Sequence, residues 1–107
     1  MLYVQARLNA VGKPVTCIEI PLYGSPRSLQ HFVKRVGYAI ARNKKFGSEC
    51  TVSYQENSLC VLSLPINPLL VDDTIVRMTQ LKSIARTITH QEIGVIDARN
   101  VSELHTH

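Results

Sequence analysis

Two alternating runs open the chain. Leu2, Val4, Ala6 and Leu8 interleave with Tyr3, Gln5 and Arg7, the period of a strand with one buried face. Gly12 and Pro14 mark residues 9–14 as a turn. Over residues 15–22 the alternation resumes, with Thr16, Ile18 and Ile20 on one face and Cys17 and Glu19 on the other. Two such runs about a short turn predict a β-hairpin.

The period then changes. Ser25 is a good helix N-cap, and Pro26 suits the first helical position, where its missing N–H is no loss. Leu29, Val33, Val36 and Ile40 recur at helical spacing and predict an apolar stripe on a helix over residues 26–45. Gly47 is placed to end it, with Lys44 and Lys45 complementing the dipole in its last turn. Residues 50–54 and 59–64 are rich in strand formers and flank a hairpin turn at 55–58. The second run is apolar at nearly every position, which predicts a central strand covered on both faces. Residues 65–68 form a loop. Asp72 and Asp73 suit the start of a second helix running to about Ile88, with Ile75, Met78, Leu81, Ala85 and Ile88 inward. Ile93, Val95 and Ile96 add a short last strand.

This order predicts an α+β domain: two helices packed on a four- to five-stranded antiparallel or mixed sheet, in ββαββα order with an extra C-terminal strand. One domain over residues 1–101 and a flexible tail over 102–107 account for the chain, which has no repeat or linker.

Composition narrows the chemistry. A chain of 107 residues that is 45% hydrophobic and 19% charged has a globular balance, and it can bury a core without disulfide or metal staples. It has no tryptophan, so the core rests on Val, Leu and Ile. The N-terminus lacks the pattern of a signal peptide, and the apolar stretch at 59–71 is broken by Ser63, Pro65, Asn67 and Pro68, too short and interrupted to span a bilayer. A cytoplasmic protein with no membrane partner is expected.

Twelve Lys and Arg against eight Asp and Glu give a net charge of +4, and where the excess sits matters more than its size. At ~100° per residue, His31, Arg35, Tyr38, Arg42 and Lys45 fall on one arc of the first helix, with Lys34 beside it. No acidic residue interrupts them. A cationic face carrying one aromatic suits phosphates, with Tyr38 and His31 for stacking or hydrogen bonds, and it suits an acidic protein surface equally. No helix-turn-helix, zinc-finger or RNA-binding aromatic signature accompanies it.

Catalytic and metal chemistry find little purchase. Cys17, Cys50 and Cys60 form no CxxC pair, and all three fall in or beside strands as free thiols of a reducing compartment. No GxSxG, glycine-rich phosphate loop or paired-carboxylate motif occurs, and helix capping accounts for Asp72 and Asp73. His90, His105 and His107 lie late in the chain with no Cys or carboxylate cluster at ligand spacing. The expectation is a non-enzyme without cofactor or metal. A cysteine-dependent enzyme would require a reactive, low-pKa thiol.

From Val15 onward the element order, with Lys34-Arg35-Val36-Gly37-Tyr38-Ala39, Thr51-Val52-Ser53-Tyr54 and Asn57-Ser58-Leu59-Cys60-Val61, resembles the DinI-like family of small bacterial, phage and plasmid proteins. The resemblance covers roughly two thirds of the chain. It implies the strand, helix, strand, strand, helix pattern and a role in DNA-damage or mobile-element regulation. That family's last helix is strongly acidic and engages the recombinase RecA. The corresponding helix here carries Asp72 and Asp73, then Arg77, Lys82 and Arg86.

The function expected is therefore a small regulatory or accessory protein that binds nucleic acid or an acidic partner through its first helix. The alternative is a homodimeric protein–protein module, with Tyr3, Val15 and Leu59 or Val61 in contact on the sheet side away from the helices.

Overall fold

The computed structural model describes residues 1–43, 45–56 and 58–96. Its elements are β1 (Leu2–Leu8), β2 (Pro14–Pro21), α1 (Pro26–Arg42), a 3₁₀ turn (Gly47–Glu49), β3 (Thr51–Gln55), β4 (Leu59–Pro65), α2 (Asp73–Thr89) and β5 (Ile93–Ile96). The α+β prediction holds, with two helices on a five-stranded mixed sheet ordered β3-β4-β2-β1-β5. Neighbours run antiparallel except β1 and β5, which are parallel.

Local chemistry sets the turns. Asn9 Oδ1 accepts the N–H groups of Val11 (3.0 Å) and Lys13 (2.9 Å), and Gly12 takes the positive φ of 79° that closes the β1–β2 hairpin. In the β3–β4 hairpin the Ser58 N–H donates to the Gln55 carbonyl at 2.9 Å. These turns lock registers that place Gln5 opposite Cys17 and Gln55 opposite Leu59. Tyr54 stands opposite Cys60, so Cys50 and Cys60 are not direct partners, and all three cysteines are free.

The strand directions make two crossovers. β2–α1–β3 passes over β4, and β4–α2–β5 passes over β2 and β1. Both helices lie on one face of the sheet. Val4, Ile18, Ile20, Cys60, Leu62, Leu64 and Ile93 meet Met78, Leu81, Ile84, Ala85 and Ile88 of α2 and Val36 and Ala39 of α1 in one core. Thr16 is fully buried there, and its hydroxyl donates to the Leu64 carbonyl at 3.3 Å.

Several predicted details are corrected. α1 stops at Arg42, because Asn43 leaves the helical conformation and its Oδ1 accepts the Phe46 N–H at 3.3 Å. Lys45 therefore lies beyond the helix, and Gly47 opens the 3₁₀ turn. Val33 is 47% exposed, and the core face of α1 is Phe32, Val36 and Ala39, with Leu29 and Ile40 at its margin. Ile75 is likewise exposed, while Ile84 is buried. β4 is central, but helices cover only one of its faces. On the other, Val61 is nonetheless buried, only 8% exposed. The tail expected at 102–107, with His105 and His107, lies outside the described residues.

Arg77 joins the connections around α2. Its Nη1 lies 2.6 Å from Glu49 Oε2, an electrostatic contact without hydrogen-bond alignment. Its Nε donates to Asp73 Oδ2 at 3.4 Å, and its guanidinium sits 4.5 Å from the Phe46 ring centroid. Asp73 Oδ2 also accepts the Asn67 N–H at 2.6 Å, tying the β4–α2 loop to the same cluster. Breaking a largely buried charge cluster leaves its partners uncompensated. Arg77→Ala should therefore lose about 3 kcal/mol in urea unfolding followed by circular dichroism. The exposed Lys34→Ala control should stay within about 0.5 kcal/mol. An Arg77→Ala loss as small as the control's would remove the cluster from the account.

Candidate functional site

The basic residues of α1 lie where the two helices meet and along the outer side of α1. With Phe32, Val36 and Ala39 turned to the core, Arg35 and Arg42 flank that face on the side of α2, and His31 and Tyr38 follow round the helix at ~100° per residue. Lys34 and Arg27 lie further round still. All six are exposed, Tyr38 at 72%. The cationic arc is thus set beside the buried face rather than directly opposite it, because the buried face is centred on Phe32, Val36 and Ala39 rather than on Val33. Arg35 stacks over Phe32 at 5.7 Å, and the Lys45 ammonium lies 5.3 Å from the Phe46 ring centroid.

Placing Lys45 past the helix end brings it to a groove between the helices. Arg42, Asn43 and Lys45 form one wall, Ser83 and Thr87 of α2 the other, and Ala39 and Ile84 the floor, around about 420 Å³. A hydrogen bond from Asn43 Nδ2 to Gln80 Oε1 (3.1 Å) fixes the two walls. Ser83 and Thr87 also line a second depression with Lys82, Arg86 and His90 on the outer side of α2, where Glu92 is the one carboxylate. The two basic rows are therefore continuous across the helical layer. Among the described residues, salt bridges engage Arg7 and Arg77 but none of Arg27, Lys34, Arg35, Arg42, Lys45, Lys82 or Arg86. Such a surface can neutralise several phosphates and donate a hydrogen bond to them from the Ser83 hydroxyl, while the Thr87 hydroxyl donates to the Ser83 carbonyl at 3.1 Å.

Reading the sequence for this surface found α1 but missed Arg27 and the contribution of α2. The signal present was the lack of any acid in α2 after Asp73, while Lys82 and Arg86 are four apart. It also missed an apolar run at the β4–α2 junction. Leu69, Leu70 and Val71 are exposed, as are Ile75 and Val76 on the first turn of α2. The sheet face away from the helices carries Tyr3, Val15, Leu59 and Val61, the positions expected there.

The cysteines sit in surroundings that favour the neutral thiol. Burial pushes Cys60 up to about 11, helped by Cys50 nearby. Burial also raises Cys50 and Cys17, with Arg7 opposing the shift at Cys17. Cys50 Sγ–H makes a long contact of 3.9 Å to the Thr51 carbonyl. Among the described residues no cluster of His, Cys, Asp and Glu is arranged to hold a metal, and no helix is long and apolar enough to cross a membrane.

Because the thiolate is the reactive form, Cys17 and Cys60 should react slowly with an aromatic disulfide reagent near neutral pH. Both should become fully reactive in denaturant. The raised Cys60 pKa also predicts stability lost as pH climbs from the ordinary thiol value towards about 11, since the unfolded chain gives up that proton first. Rapid labelling of a native cysteine at neutral pH would reverse this picture.

No protein-family model and no curated protein matches the chain. Among solved structures it is similar to an essential ribosomal processing protease, Prp from S. aureus, in complex with a covalently linked product peptide. The identity is 11% over 91% of this chain and 99% of that one, with a TM-score of 0.31, too low a similarity to carry an activity across.

Proposed function

We propose that this protein is a small accessory factor that binds nucleic acid across its helical layer, with Arg35, Arg42 and Lys45 as the principal phosphate contacts. The observation that carries the reading is the exposed basic row of α1, unpaired with carboxylates among the described residues and bordering a groove with hydroxyls on its far wall. His31 and Tyr38 add hydrogen-bonding and stacking groups along the row, and Lys34 widens it. Phosphates are favoured over a flat acidic protein surface because the groove offers charge and the Ser83 hydroxyl donor together, the combination that grips phosphate oxygens.

A protein–protein module is the second reading. It draws support from the exposed apolar run Leu69, Leu70 and Val71 and from the uncovered sheet face. Salt separates the two. A site neutralising about four phosphates should lose roughly a hundredfold in affinity between about 50 and 200 mM salt, whereas apolar association should barely respond.

Titration against labelled DNA and RNA at two salt concentrations tests the proposal. Arg35→Glu combined with Arg42→Glu should abolish binding while leaving thermal unfolding nearly unchanged. Both side chains are exposed, and Arg35 gives up only its stacking on Phe32. Undiminished binding by the double variant would exclude the α1 row as the interface.

A further inference from the structure

The basic row ends beside a cavity that charge recognition alone does not explain. About 400 Å³ in volume, it opens where the end of β2 meets the first turns of α1 and the last turn of α2. Leu29, Phe32 and Ile88 form an apolar, half-buried to buried floor, while Arg35, Gln91 and Tyr23 are exposed at the mouth. Tyr23 is 83% exposed, an aromatic ring left in water beside a hollow with an apolar floor and polar walls. Arg35 is shared with the basic row, so a ligand that follows the row reaches this mouth.

Resting on the nucleic-acid reading, we infer that this cavity receives an unpaired base, and that the preferred ligand is single-stranded rather than duplex. The volume lies in the ~300–1,000 Å³ range of small-molecule sites, enough for a base with its sugar. A stacked duplex hides its base faces and could use only the phosphate-binding half of the surface. A single strand presents every base for stacking on aromatic rings, which is the energy source such binders use alongside cationic grooves. Tyr23 at the cavity and Tyr38 further along α1 supply two such rings. Arg35 holds the phosphate joining the inserted nucleotide to the strand. The Gln91 side chain carries both a donor and an acceptor for a base edge, and no hydrogen bond engages it among the described residues.

The test compares fluorescence anisotropy of single-stranded and duplex oligonucleotides of equal length on the intact chain. Single strands are expected to bind at least about tenfold tighter. Tyr23→Ala should weaken single-strand binding about 5- to 100-fold and leave duplex binding unchanged. Its exposure makes a folding defect an unsuitable explanation, and a thermal melt checks this. Tyr23→Trp adds a direct reading, because the chain has no other tryptophan and base stacking should quench its emission. Equal affinity for both strand types with a silent Tyr23→Ala, while the Arg35 and Arg42 reversal still abolishes binding, overturns the cavity assignment and leaves the basic interface standing. Absence of binding to any strand overturns both.

Discussion

Burial of α2 against the middle of the sheet is the contact on which the other elements depend. Met78, Leu81, Ile84, Ala85 and Ile88 close over β2 and β4 and extend to β1 and β5, so the helix is both the lid of the core and the crossover that delivers the last strand. α1 then packs beside α2 through Val36 and Ala39, and the Asn43–Gln80 hydrogen bond fixes its end. At ~25 cal/mol per Å² of buried apolar surface, five such side chains outweigh any single polar contact in the molecule. The Arg77 cluster anchors the start of α2 to Phe46 and to the β4–α2 loop.

Placing both helices on the same side of the sheet separates the chain's chemistry. The helices must turn their polar faces outward together, so the cations of α1 and α2 share one surface. Arg7 and Glu19, in contrast, pair on the far side at 3.6 Å. Among the described residues the cations of the two helices thus concentrate positive charge on that side. The groove arises because α1 and α2 meet through small or short side chains, Ala39 and Ser83 among them, which leave a channel between cationic rims.

Much of this was legible in the residues. Period-2 alternation identified β1 and β2 and assigned Thr16, Ile18 and Ile20 to one face, and the cap and periodicity located α1 to within three residues at its C-terminal end. Tyr3, Val15, Leu59 and Val61 followed from the same alternation. What escaped has physical causes. A pattern reveals which face is apolar but not which strands are neighbours, so the apolar run of β4 marked an interior strand while the parallel pairing of β1 with β5 depended on long-range packing. Val33 and Phe32 are adjacent apolar residues, and only the position of α2 decides which of them turns inward. The end of α1 depended on an Asn43 side chain competing for backbone groups three residues on, a local contest that propensity does not rank. The contribution of α2 to the basic surface was hidden because its outer residues mix Lys82 and Arg86 with Ser83, Thr87 and exposed apolar positions.

The position of β1 has a consequence for the order in which the molecule assembles. Of the described strands β1 comes earliest in the chain, yet it lies between β2 and β5, the latest of them. During synthesis β1 can pair with β2 at once, but its other row of N–H and C=O groups waits until residues 93–96 emerge. Throughout that interval the nascent sheet offers an open edge, the configuration that recruits strands from other chains. Gly94 eases the closure. A Cβ there would fall 2.5 Å from the Tyr3 ring, so any other residue would make that exposed ring move before β5 could settle beside it.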